Sequence, residues 1–175
     1  MEVAKRVFRQ VVRWLGFAVV AAVLILAIVN SGSGLPEGSA APAIVGTTIS
    51  GERFSTIDIA GRPVVLNFRA TWCPPCLAEL PDIERAYKTF GDRVAFVGLT
   101  LESGPAAQVS EVVQRFKLTY PIVLPHPQVQ HAYKVTSFPT TVILGPDGNV
   151  VHSHAGSVDF DILTRELQPF LDKES

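Results

Sequence analysis

The sequence predicts a mixed α/β domain, a central mixed sheet with helices on both faces and an N-terminal β-hairpin, preceded by one transmembrane helix. Three observations carry this. Apolar runs of strand length alternate with segments of helical period and close on a hairpin. A long apolar stretch near the N-terminus is set off by a Gly/Ser-rich segment. The chain's only two cysteines, Cys73 and Cys76, stand where a buried strand gives way to a helix. The 175 residues, 47% of them hydrophobic and with a net charge of −1, suit one domain plus a short appendage and give no basic surface for nucleic acid.

The charges are nevertheless uneven, because Lys5, Arg6, Arg9 and Arg13 crowd the N-terminus and the next positive residue is Arg53. Trp14 to Val29 is uninterruptedly apolar, and the run reaches back to Val11 if Arg13 snorkels to the headgroups. Residues 11–29 are therefore expected to cross a lipid bilayer. The positive-inside rule puts the N-terminus in the cytoplasm and the rest outside, where the cysteines meet an oxidising compartment. A cleaved secretory signal is the competing reading. Ile28-Val29-Asn30-Ser31 is a poor cleavage site, and no cysteine follows the span to carry a lipid, so an uncleaved anchor is favoured. Both readings export the domain. The expected organisation is a cytoplasmic stub and anchor over 1–29, a flexible Gly/Ser linker over 30–41, and a folded domain over 42–175.

Within that domain, Ile44 to Ile49 and Gly51 to Phe54 predict a short hairpin, and Val64 to Phe68 a fully buried strand. A helix is expected from Cys73 to Phe90, with Pro74 tolerated in its first turn, Pro81 kinking it and Gly91 ending it. Val94 to Leu101 is the next strand, followed by a helix from Pro105 to Phe116, a strand at Ile122 to Leu124 and a short helix around Val129 to Lys134. Thr140 to Leu144 and Asn149 to His154 flank Gly145-Pro146-Asp147-Gly148, whose Asp-Gly step is a hairpin turn. An amphipathic helix from Phe160 to Leu171 completes the pattern.

Trp72-Cys73-Pro74-Pro75-Cys76 has the layout of a redox dithiol. Two sulfurs at that spacing can close a disulfide within one turn, and a thiolate at a helix N-terminus is stabilised by the dipole and by backbone N–H groups. A structural staple is a poorer reading, since so short a loop restricts the unfolded chain little. A zinc site would need further ligands from His126, His131, His152 or His154, none at finger spacing. His152 and His154 share a strand face and read better as solvated than as a metal pair. Glu79, one turn beyond Cys76, is by spacing alone either a buried proton carrier or an exposed early-helix acid.

Val65-Leu66-Asn67-Phe68, Ala70-Thr71-Trp72-Cys73-Pro74-Pro75-Cys76, Glu79-Leu80-Pro81 and Ser137-Phe138-Pro139-Thr140-Thr141 together resemble the TlpA/ResA-like branch of the thioredoxin superfamily over residues 42–172. The resemblance implies a thioredoxin-like fold in which 105–116 is an inserted helix. It also implies a membrane-tethered thiol-disulfide oxidoreductase on the periplasmic side of a bacterial cytoplasmic membrane. Its expected partners are a disulfide-bearing protein, such as an apocytochrome c or a copper-site assembly protein, and a membrane electron donor that re-reduces the dithiol. No cofactor beyond the Cys73–Cys76 disulfide is implied.

Carried over residue by residue, the resemblance makes Cys73 the attacking thiolate, Cys76 the resolving thiol and Glu79 a functional acid. Asn67 stands where plain thioredoxin has a buried Asp, and is expected to satisfy core hydrogen bonds. Phe138-Pro139 would be cis and face the dithiol, where residue 138 pairs with an extended partner segment. Trp72 would pack beside the sulfurs and shape the docking surface. Because Pro74 and Pro75 lack N–H groups, an N-cap Cys73 would draw only on later donors such as the Cys76 N–H, which sets its pKa below about 8.5 but above about 3.5. Arg69 departs from the family, which more often carries an aromatic residue there. It either favours the Cys73 thiolate or is solvated at the strand end, the second being favoured. Thr71 lies two residues before Cys73, which disfavours a peroxiredoxin. A Cu(I)-binding chaperone and a disulfide-forming oxidase are the alternatives to a reductase.

Overall fold

The computed structural model describes residues 10, 13–22, 33–101 and 104–172. The chain divides into two compact units, Met1–Gly32 and Ser33–Ser175, and the second carries the dithiol. In the first, residues 13–22 are helical. Among the described residues no helix is long and apolar enough to cross a membrane. Of the span expected over 11–29, residues 11–12 and 23–29 lie outside the described residues.

The second unit is built on a seven-stranded sheet. Its strands are β1 (Val45–Thr48), β2 (Arg53–Ser55), β3 (Val64–Arg69), β4 (Ala95–Thr100), β5 (Ile122–Pro125), β6 (Thr140–Leu144) and β7 (Val150–Ala155). Its helices are α1 (Pro74–Phe90), α2 (Ala106–Phe116), α3 (Gln128–Ala132) and α4 (Phe160–Leu171). The spatial order is β2-β1-β5-β4-β3-β6-β7, with β3, β4 and β5 parallel and every other pairing antiparallel. Parallel neighbours need crossovers, which α1 and α2 supply, whereas β6 and β7 are joined by the predicted tight turn at Asp147-Gly148.

The two faces follow from the alternation of side chains along each strand. Val64, Leu66 and Phe68 of β3, with Ala95, Val97 and Leu99 of β4, point to one core with Val129, Tyr133 and Leu35. Val65 and Phe96 point to the other, under Leu80 and Ile83 of α1, Val109 of α2 and Leu163 and Leu167 of α4. The three long helices α1, α2 and α4 thus share one face, and the short α3 with the segment around Leu35 covers the other. α1 runs on through Pro81 as one element.

The segment read as a flexible linker is different. Its described part, 33–41, lies against the domain: Leu35 is buried in the first core. Gly34 N–H donates to Lys134 O (3.0 Å), Gly38 N–H to Val150 O (2.7 Å) and Ala41 N–H to Gly148 O (3.1 Å). The folded body thus begins near Ser33, and not near Pro42. Gly/Ser composition reports backbone freedom, but one buried leucine and a row of backbone bonds outweigh it.

Candidate active site

β3 delivers the chain to the dithiol. After Arg69 the backbone leaves the sheet through Ala70, Thr71 and Trp72, and Cys73 caps α1 in an extended conformation (φ −94°, ψ 105°). Its sulfur accepts the Cys76 N–H at 3.3 Å, the one donor left by two prolines in the first turn. Cys73 and Cys76 are joined in a disulfide, Cα to Cα 5.3 Å. Cys73 is the more exposed residue of the pair by a narrow margin, 3% against 0%.

Two residues pack on the disulfide. Ala70 is buried against both cysteines, Phe138 packs on the same cluster, and the Phe138–Pro139 bond is cis, as expected. Trp72 is 61% exposed and meets Phe138 edge to face, centroids 6.1 Å apart. An exposed indole beside a half-covered phenylalanine is an apolar surface flanking the sulfurs.

One turn along α1 from Cys76 begins a buried polar row. Glu79 is only 2% exposed. Its Oε1 accepts from Asn67 Nδ2 at 2.8 Å, and its Oε2 accepts the Val158 N–H at 2.9 Å. Asn67 Nδ2 also donates to Thr141 Oγ1 at 3.2 Å. Burial raises the Glu79 carboxyl from its ordinary value to about 7, against the opposing pull of the Val158 and Asn67 hydrogen bonds and of the Arg69 charge. Glu79 is therefore not an exposed early-helix acid, and Asn67 is bonded in the core through its Nδ2 to Glu79 and Thr141.

Arg69 overturns its favoured reading. It is 2% exposed, on the same β3 face as Val65 and Asn67. Its Nη1 donates to Tyr120 Oη at 2.8 Å and its Nε to Thr100 Oγ1 at 3.4 Å, while the guanidinium carbon lies 5.7 Å from the Tyr120 ring centre. Gly98 on β4 leaves the room, since a Cβ there would sit 3.1 Å from Arg69 Nη2. The signal was present in the sequence, because Val65, Asn67 and Arg69 alternate and all must face α1; the charge at a strand end hid it. Tyr120 and Val158 carried no comparable signal, being brought to the row by chain reversals distant in sequence.

His152 and His154 stack on β7, centroids 6.4 Å apart, and His152 Nδ1 lies 3.1 Å from Glu37 Oε1 and 3.6 Å from Glu166 Oε2. Among the described residues no group of three or more His, Cys, Asp or Glu is placed to hold a metal.

A disulfide closed at a helix N-terminus, packed by the phenylalanine of a cis X-Pro bond and followed one turn on by a buried acid, defines a protein thiol-disulfide oxidoreductase of thioredoxin-like fold. Comparison with known proteins agrees. The sequence model of the AhpC/TSA family matches residues 38–153. Thioredoxin-like protein YneN of Bacillus subtilis is 37% identical over 71% of this chain and 75% of its own length. Thiol-disulfide oxidoreductase ResA of the same species is 35% identical over 71% and 70%. Among solved structures, a thiol:disulfide interchange protein from Chlorobium tepidum superposes with a TM-score of 0.70 at 27% identity, covering 78% of this chain and 98% of its own. StoA from Bacillus subtilis superposes at 0.63 with 29% identity, covering 71% and 96%. The chain belongs to the AhpC/TSA family and, within the thioredoxin superfamily, to its TlpA/ResA-like branch.

Proposed function

We propose that this protein is tethered to the bacterial cytoplasmic membrane through residues 11–29 and reduces disulfides of partner proteins on the periplasmic side, in cytochrome c maturation or copper-site assembly. The observation that carries the reductase reading is the buried Glu79 carboxyl one turn from the Cys73–Cys76 pair, held by Asn67 and the Val158 N–H. It supplies a proton acceptor that titrates near neutrality where the resolving thiol must lose its proton.

In the reduced protein the Cys73 thiolate attacks a partner disulfide, one partner sulfur leaves as thiolate, and a mixed disulfide forms. Cys76, its proton passed to Glu79, attacks Cys73 Sγ. The second partner sulfur leaves, and the chain is left oxidised. Two electrons have passed to the partner, whose thiolates take up two protons. A membrane electron donor then restores the dithiol. Trp72 and Phe138 form the surface on which an extended partner segment would lie, and Pro74 and Pro75 limit the donors that stabilise the Cys73 thiolate.

The test is the reduction potential, measured by equilibration with dithiothreitol or glutathione buffers and thiol alkylation. A value near or below about −270 mV is expected for a dedicated reductant; one near about −120 mV would make the protein a disulfide donor and reverse the electron flow. Stoichiometric Cu(I) binding by the reduced protein without reductase activity would replace the enzyme reading with a copper chaperone.

A further inference from the structure

Ser33, the first described residue of the folded unit, is only 8% exposed, and among the described residues every bond of its hydroxyl runs to the loop that carries Phe138 and Pro139. Thr136 N–H donates to Ser33 Oγ at 2.9 Å and Ser137 N–H at 3.4 Å. Thr140 Oγ1 lies 2.9 Å from Ser33 Oγ and donates its own hydrogen to Ser137 O at 2.8 Å. The polarity follows by elimination: with the Thr140 hydrogen spent on Ser137 O, Ser33 donates to Thr140 Oγ1 and accepts from the two backbone amides. One hydroxyl thereby joins both ends of the 136–140 loop.

The neighbouring residues hold Ser33 there. Gly34 N–H donates to Lys134 O at 3.0 Å, and Ser153 Oγ to Ser33 O at 3.4 Å. Gly34 has φ +104°, a conformation that favours glycine, and a Cβ at this position would collide with Ser153 Oγ. Inside the clasped loop, Phe138 packs on the Cys73–Cys76 cluster and meets the Trp72 ring.

We propose that Ser33 is a positioning residue for partner docking, its hydroxyl holding the 136–140 loop in the shape that presents Phe138 beside the Cys73–Cys76 pair. This rests on the reading of that loop as the docking surface. Ser33 touches neither sulfur and takes no part in the exchange. It makes the start of the folded domain part of the partner-binding loop, so a change where the linker enters is felt at the site.

The test compares the full chain, its Ser33→Ala variant and a matched Ser39→Ala control, Ser39 Oγ being bonded within its own segment to Pro36 O. The substrate probe is an oxidised Cys-x-x-Cys-His peptide. Ser33→Ala is expected to raise KM for the peptide about fivefold with kcat held, and to speed amide hydrogen exchange at Thr136 and Ser137 by about fivefold or more, on the scale of one lost hydrogen bond. Exchange in α1 stays at the control's rate. Unchanged exchange in the loop, unchanged KM despite faster loop exchange, or faster exchange spread over all elements would each overturn the proposal. A wild-type chain that leaves the peptide oxidised overturns the reductase reading and the docking role with it. That failure is visible without any variant, whereas failure of the Ser33 role shows only in the comparison.

Discussion

Glu79, buried one turn from the dithiol, ties the stability of the fold to pH. With its folded pKa about 7 and its unfolded value near 4.5, the folded state binds the extra proton between those limits. Stability is then full below about pH 4.5, falls as pH rises toward 7 and levels off above it, a loss of about 3 kcal/mol. Glu79→Gln should abolish this slope in urea unfolding of the oxidised protein between pH 4.5 and 8, and remove the matching inflection from the rate at which the mixed disulfide resolves. Retention of both would return Glu79 to a structural role. Arg69 acts on the same group with opposite sign, its buried charge lowering the Glu79 pKa. Arg69→Met should therefore move the inflection to higher pH, while leaving the Tyr120 hydroxyl without its 2.8 Å donor.

At the scale of the element, the first turn of α1 sets how readily Cys73 ionises. A helix with Pro74 and Pro75 at its start has the φ its first turn needs but lacks the two N–H groups that would otherwise face the cap sulfur. The Cys76 N–H reaches it. Pro75→Ala restores one donor, and should lower the Cys73 pKa in an alkylation-versus-pH profile and shift the potential toward a more oxidising value. A profile identical to wild type would show that the dipole, and not the local donors, governs this thiolate. β3 works in the same economical way: its inward row Val65, Asn67, Arg69 contributes first to the core, then to Glu79, then to Tyr120.

For the whole molecule, the finding that matters is where the domain begins. Leu35 is buried and 33–41 is bonded to Lys134, Gly148 and Val150. A domain cut to begin at Pro42 should be less stable than one beginning at Ser33 by about 3 kcal/mol, from one buried leucine and several lost hydrogen bonds. Urea unfolding of the two oxidised domains measures this, and equal midpoints would make the segment an ornament on the fold.

Most of the fold was legible because its signals are local. Buried strands such as Val64 to Phe68 read as unbroken apolar runs, the Asp147-Gly148 step specifies its own turn, and a Cys-x-x-Cys after a strand and before a helix has few chemical meanings. By itself the sequence determined the order of elements, the dithiol, its prolines and the candidacy of Glu79. Tertiary structure alone decided that Glu79 is buried with Asn67 and Val158, that Arg69 turns inward to Tyr120, and that Ser33 clasps the Phe138 loop. The physical reason is common to the three: burial and hydrogen-bond partnership depend on which distant segments the fold brings together, and side-chain periodicity reports the face a residue occupies but not what waits on it.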